Sequence, residues 1–213
     1  MKKQLFWLAA LAALGGGAQA QDIYGGLGLP GLYTLGYAHP LGGKWGVRGE
    51  YATGLSWTST GSDSGVNYSA SLRSSRGGLF ADWFPFGGGF RFVGGVTAND
   101  TKLEINAAGT GTATINNKSV NMAGHYFNVS LKYPTATPYL GVGYGHQVST
   151  KGLGFYADLG LSFGRFSADV STDLVGQAGI TQADVDAQKQ QMNDSLGGLR
   201  YLPSFSAGMV YRY

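Results

Sequence analysis

A chain of 213 residues carries 15 Lys and Arg against 12 Asp and Glu, with 37 Gly, 13 Tyr, 6 Pro and no Cys. That length suits one domain, the missing cysteines exclude a disulfide framework and an acylated lipoprotein anchor, and the lack of a basic run or face excludes nucleic acid as a partner. Glycine this abundant beside so little proline is neither collagen nor a disordered linker, whereas glycine and aromatic residues on alternating strands suit a barrel.

In chain order, Lys2 and Lys3 open a basic start, Leu5 to Leu14 form an apolar run, and Ala18-Gln19-Ala20 supplies a small-x-small site. This is the layout of a secretory signal over 1–20, with an apolar run too short to span a bilayer as a helix. Gln21 is the expected mature N-terminus. The remaining 193 residues (213 less 20) hold 13 basic and 12 acidic side chains once Lys2 and Lys3 are removed, a formal charge of +1.

From Ile23 onward the chain alternates apolar and polar residues, the period of a strand with two unlike faces. Ile23, Leu27 and Leu29 oppose Asp22, Tyr24 and Gly26. After Pro30-Gly31 come Tyr33, Leu35 and Tyr37, and after Gly42-Gly43 a strong pattern sets Trp45, Val47, Tyr51, Leu55 and Trp57 against Arg48, Glu50 and Ser56. Residues 58–75 are polar and Gly/Ser-rich and read as a loop. Leu79, Ala81 and Trp83 then oppose Arg76, Gly78 and Asp82, and Phe90, Phe92 and Val96 follow the turn at 85–89. Residues 97–120 read as a second long polar loop.

Segments 123–133 and 138–146 read as a descending and a returning strand about a turn at 134–137. Leu153 to Phe163 and Phe166 to Leu174 read as an antiparallel hairpin about Gly164, because the apolar residues change from odd to even positions there. Thr181 with Asp184 three residues on is a capping box, so a helix is expected up to Gly197-Gly198. A last strand, 201–213, alternates Tyr201, Phe205, Met209, Tyr211 and Tyr213 with Ser204, Ser206, Gly208 and Arg212.

Connections near 42, 87, 135 and 164 are short, and those near 65, 110, 149 and 187 are mostly long. Aromatics such as Tyr37, Trp45, Trp83, Tyr133 and Phe163 cluster beside the short ones. Strands of about ten residues, alternating loop lengths and an aromatic girdle define an antiparallel transmembrane up-and-down β-barrel. Eight to ten strands are expected, ten favoured, with one short helix in the last extracellular loop.

Three passages, 80–91 (FADWFPFGGGFR), 154–160 (GFYADLG) and 201–213, resemble small proteobacterial outer-membrane β-barrel proteins, broadly of the OmpW and OmpX type. The resemblance covers the whole mature chain. It implies a Gram-negative outer membrane with its lipid and lipopolysaccharide as surroundings, and insertion by the barrel assembly machinery. That machinery reads an aromatic-ended last strand, here Phe205, Met209, Tyr211 and Tyr213; Tyr213 stands where the family pattern usually has Phe.

Barrels of this class include enzymes with a His–Ser pair near the membrane interface. His125 lies opposite Ser130 by strand parity, and His146 near Ser149 lacks an orienting group, so no catalytic set is read. Three scattered histidines without cysteine give no metal site, and no cofactor is expected. Gly26-x-Gly28-x-x-Gly31 precedes a strand rather than a helix and is a turn. The lumen face is expected to carry Arg48, Arg76, Arg91, Lys132, Arg165 and Arg212 with Glu50, Asp82, Asp158, Asp169 and Asp173. Charges this close in a narrow barrel pair and close it, with Tyr24, Tyr139 and Tyr156. A plugged structural or surface-interaction barrel is the expectation; a small channel for ions or apolar compounds is the alternative.

Overall fold

The computed structural model describes residues 21–213 apart from 64, 147–150 and 178; the signal segment at 1–20 and Ser149 fall outside them. The chain forms β1 (Asp22–Leu29), β2 (Tyr33–Gly42), β3 (Trp45–Asp63), β4 (Val66–Trp83), β5 (Arg91–Gly109), β6 (Thr112–Ile115), β7 (Lys118–Asn121), β8 (Tyr126–Lys132), β9 (Ala136–Tyr144), β10 (Gly152–Phe163), β11 (Ser167–Thr172), α1 (Gln182–Leu196) and β12 (Tyr201–Arg212). Neighbours β1 to β5 pair in sequence, the first half of β5 pairs with β9, β9 with β10, β10 with β12, and β12 returns to β1. All these pairings are antiparallel, and they close a ring of eight strands. Asp22 lies opposite Arg212, so both ends of the described chain meet at one end of the ring.

The ten segments expected from the sequence become eight because two of the expected turns are interruptions within a strand. β8 pairs with the second half of β5 and β9 with the first, both antiparallel to it, so the chain runs on in one direction through 133–135. Pro134 has no N–H for the ladder. Its neighbours keep β5 attached: Tyr133 N donates to Thr101 O and Asn99 N to Thr135 O. β10 and β11 likewise run the same way on either side of 164–166, with β11 moving across to pair with β8. The hairpin expected at Gly164 is therefore absent, and β9 ends and β10 begins at the end where the termini meet. Nor are 58–75 and 97–120 loops. β3 and β4 extend paired to Asp63 and Val66, β5 runs to Gly109, and β6 and β7 form a hairpin.

The molecule has two storeys of opposite polarity. In the lower one, Leu153, Phe155, Leu159 and Phe163 of β10 point outward and are exposed, up to 76 % for Phe155, while Tyr156, Asp158 and Ser162 are buried inside. In the upper one, the same odd parity of β11 places Ser167, Asp169 and Ser171 outside, and Ala168 and Val170 inside. The facing never changed at Gly164; the surroundings did. β5 makes the same exchange without a break. Outward Phe92 and Val96 give way to Lys102 and Glu104, and inward Arg91 and Thr97 to Leu103 and Ile105. β3 uses a bulge instead. Its register shifts between Ala52 and Leu55 around Gly54 at φ +95°, which turns Trp57 to the inner face opposite Leu72.

The upper storey is a one-sided wall of β3, β4, β5, β8 and β11. Its inner face packs on a cluster of Ile115 and Val120 from the β6–β7 hairpin, Met122 just after it, Leu174, Ile180, and Val185 from α1. Helix α1 starts on the expected capping box, with Thr181 Oγ1 accepting from Asp184 N and Asp184 Oδ2 accepting from Thr181 N at 2.9 Å.

Candidate functional site

The lower lumen is filled by three guanidinium groups and three carboxylates supplied by four strands. Arg48 of β3 is the hub: its Nη1 donates to Glu50 Oε2 at 3.1 Å and to Asp158 Oδ2 at 3.2 Å, and its Nε to Asp82 Oδ2 at 3.1 Å. Arg76 Nη2 donates to Glu50 Oε1 at 2.8 Å, and Arg91 Nη2 to Asp158 Oδ1 at 2.5 Å. All six side chains are buried. Three positive and three negative charges leave the cluster neutral, the condition under which buried ions are tolerable.

Aromatic rings close around the ions. Tyr24 OH donates to Glu50 Oε2 at 3.1 Å, and the Arg48 guanidinium lies 4.9 Å from the Phe80 ring centroid and 5.7 Å from that of Tyr24. Arg76 lies 5.6 Å from the Tyr139 ring. These rings fit because inward glycines on neighbouring strands leave room for them. A Cβ on Gly36 would sit 2.1 Å from the Tyr24 ring, and one on Gly160 2.1 Å from Tyr139 OH. Above the ions a hydroxyl layer follows, with Thr97 Oγ1 2.7 Å from Thr137 Oγ1 and Ser74 Oγ 2.6 Å from Thr101 Oγ1.

At the terminus end a second group stands below. Arg212 donates to Asp22 through Nε at 2.6 Å and Nη2 at 2.7 Å, and His146 Nδ1 lies 3.4 Å from Asp22 Oδ2. Asp22 and His146 were not among the lumen charges expected from the sequence. Asp22 was legible, sharing the parity of Tyr24, but β9 ends at Tyr144, short of the strand expected to reach His146, and Gly145 at φ +105° breaks the alternation between them. A cavity of about 20 Å³ between Asp22, Asp82, Phe84, His146 and Arg212 has room for about one water.

The structure brings Arg48, Glu50, Arg76, Asp82, Arg91 and Asp158 together, with Arg212 nearby. It does not bring Lys132, Arg165, Asp169 or Asp173 into the lumen. Lys132 and Arg165 are exposed on the outer surface. Asp169 Oδ1 accepts from Lys189 Nζ at 2.8 Å on the outside, and Asp173 Oδ1 accepts from Tyr126 N at 2.9 Å. All four belong to the upper storey or its lower boundary, where the polar face is the outer one. His125 lies 3.3 Å from Asp173 rather than beside a nucleophile. Phe205, Met209, Tyr211 and Tyr213, the expected assembly signal, all point outward from the last strand and are exposed.

No protein-family model and no curated protein matches the sequence. Solved structures do match its fold. CarO2 of Acinetobacter baumannii superposes at a TM-score of 0.58 with 20 % identity over 93 % of this chain and 100 % of its own. CarO of the same organism gives 0.56 with 19 % identity over 90 % and 97 %. Both are outer-membrane β-barrel proteins, and the fold of this chain is that of an outer-membrane β-barrel.

Proposed function

We propose that this protein is an integral outer-membrane barrel of a Gram-negative cell. Its lower storey stands in the bilayer with a lumen sealed by the Arg48–Asp158 network, and its upper storey stands outside the cell as a surface for contacts. The observation that carries this is the polarity exchange between the storeys. The outward residues of β12 from Tyr201 to Tyr211 and of β10 from Leu153 to Phe163 are apolar, and all but the half-buried Ala207 and Leu161 are exposed. Each run covers ten residue steps, which at about 3.4 Å per residue and a tilt of about 40° is about 26 Å of height, the thickness of a barrel's apolar band. Kinship with barrels of the OmpW and OmpX type rests on the passages at 80–91, 154–160 and 201–213 and belongs to the same proposal, as does recognition of β12 by the assembly machinery.

A channel is the second reading, and one observation favours it: Arg76 Nη1 and Arg91 Nη1 are buried donors without a protein partner, which need water to satisfy them. Conductance decides between the two. Purified wild-type protein in planar bilayers is expected to show no stable openings, and R91S/D158S, which removes one ion pair as a unit, is expected to open steady steps. Stable wild-type openings would establish the channel.

A further inference from the structure

The outer wall carries a feature the sealed lumen does not use. Arg73 of β4 is the register partner of Lys102 of β5, and Lys102 that of Lys132 of β8. Three cations therefore stand side by side on three adjacent strands, about 5 Å apart, all facing outward. Like charges directly opposite one another in a sheet destabilise it. The acids on this patch are Glu104, paired with Lys102, and Asp100, one rung below opposite Ser75. Lys102 first, with Arg73 and Lys132 adding to it, holds the Glu104 carboxyl below its ordinary range, so one carboxylate is shared among three cations. Asp169, diagonal to Lys132, is taken by Lys189. Positive charge remains in excess.

The height of this rung is as telling as its charge. It is the second polar outward rung, just above Ser75 and Asp100, where the wall's outside turns from apolar to polar. Directly beneath it stand Ser75 and the exposed Asp100, and below these the outward residues of the same strands are small, Gly77, Ala98 and Ala136 in one rung, before bulky Leu79, Val96 and Leu140. The surface is a shallow apolar trough that begins two rungs below the cations. Arg165 and Arg200 continue the boundary on the next strands, beside Phe163 and Tyr201, with Gly164 N donating to Arg200 O.

We propose that Arg73, Lys102 and Lys132 form a binding site for the phosphate groups of a phosphorylated outer-leaflet glycolipid, lipid A, whose acyl chains lie in the trough below. Phosphates at the hydrocarbon boundary supply the anions that the rung lacks, and guanidinium and ammonium groups on a fixed sheet hold them without rearrangement. The inference rests on the bilayer reading of the lower storey.

Native mass spectrometry of the refolded mature chain in detergent tests it, titrating bisphosphorylated lipid A, dephosphorylated lipid A, phosphatidylglycerol and inorganic phosphate. Bisphosphorylated lipid A is expected to bind about 25-fold more tightly than either other lipid. R73Q/K132Q should erase that preference, the scale of two surface cations at about fivefold each. E104Q, which releases Lys102, should strengthen it. Unchanged binding by R73Q/K132Q, with E104Q also neutral, overturns the site. Competition by millimolar inorganic phosphate overturns the lipid assignment in favour of a free-anion site. Vesicle flotation of the wild type is the separate check on the bilayer reading: a chain that floats but shows no preference sinks this inference alone, and one that does not float sinks both.

Discussion

Asp158 and Asp169 were indistinguishable in the sequence, each a carboxylate on the polar side of an alternating segment. The structure separates them by what each touches. Asp158 accepts from two buried guanidinium groups, so Asp158→Asn leaves the buried Arg48 and Arg91 short of a negative charge. Breaking such a pair costs about 3–5 kcal/mol. Asp169 pairs with the exposed Lys189, and exposed pairs contribute little, so Asp169→Asn should be close to neutral. Urea unfolding of refolded protein, followed by loss of the compact band in unheated gel electrophoresis, measures both. Equal midpoints would mean that the lumen ions do not hold the barrel together. Alternation alone tells which side of a strand a residue takes; whether that side is a buried lumen or an exposed surface depends on its height in the wall.

Among the elements, α1 was read correctly, since a capping box is a local signal whose partners lie three residues apart. Gly164 was misread for the opposite reason. A change in apolar parity has two causes, a turn or a change of surroundings, and only the long-range pairing of β11 with β8 tells them apart. The free edge this leaves on β11 is closed by the helix, as Asn193 accepts from Ala168 N at 2.7 Å and donates to Ala168 O at 3.2 Å. What fastens the helix at its other end is Asp184, which accepts from Lys118 Nζ at 2.7 Å, from Asn116 Nδ2 at 2.9 Å and from its own cap. Lys118 first and Asn116 next lower its carboxyl well below the usual value. A folded-state value below the unfolded one stabilises the cap above the ordinary carboxylate range, near pH 4, and that stabilisation is lost as pH falls further. Protection factors of the amides within α1 and the β6–β7 hairpin should therefore fall below about pH 4, while the ring strands keep theirs. In Asp184→Asn the same segments should exchange faster already at neutral pH, and a helix equally protected at pH 3 and pH 7 would contradict this.

At the scale of the whole molecule, the ring is closed by one strand. β12 pairs with β1 from Asp22↔Arg212 to Leu29↔Phe205, and with β10 from Gly152↔Arg212 to Phe163↔Tyr201. Its second neighbour is the strand with Asp158 and not the one with Asp169 that comes before it in the chain, because β11 has left the ring for the upper wall. Deleting residues 209–213 strips Asp22 to Gly25 of β1 and Gly152 to Phe155 of β10 of their partners at one stroke, and removes the Arg212–Asp22 pair. In a bilayer each backbone group left unpaired costs several kcal/mol, so an opened ring has no stable membrane form, and the outward Met209, Tyr211 and Tyr213 that would mark the strand for assembly go with it. The truncated chain is expected to be exported and to accumulate in the periplasm as a protease-sensitive species without a compact band in unheated gels. Fractionation of cells expressing it provides the measurement. Recovery of a compact, protease-resistant form in the outer membrane would show that β12 is dispensable for closure, and the eight-stranded ring would have to be abandoned.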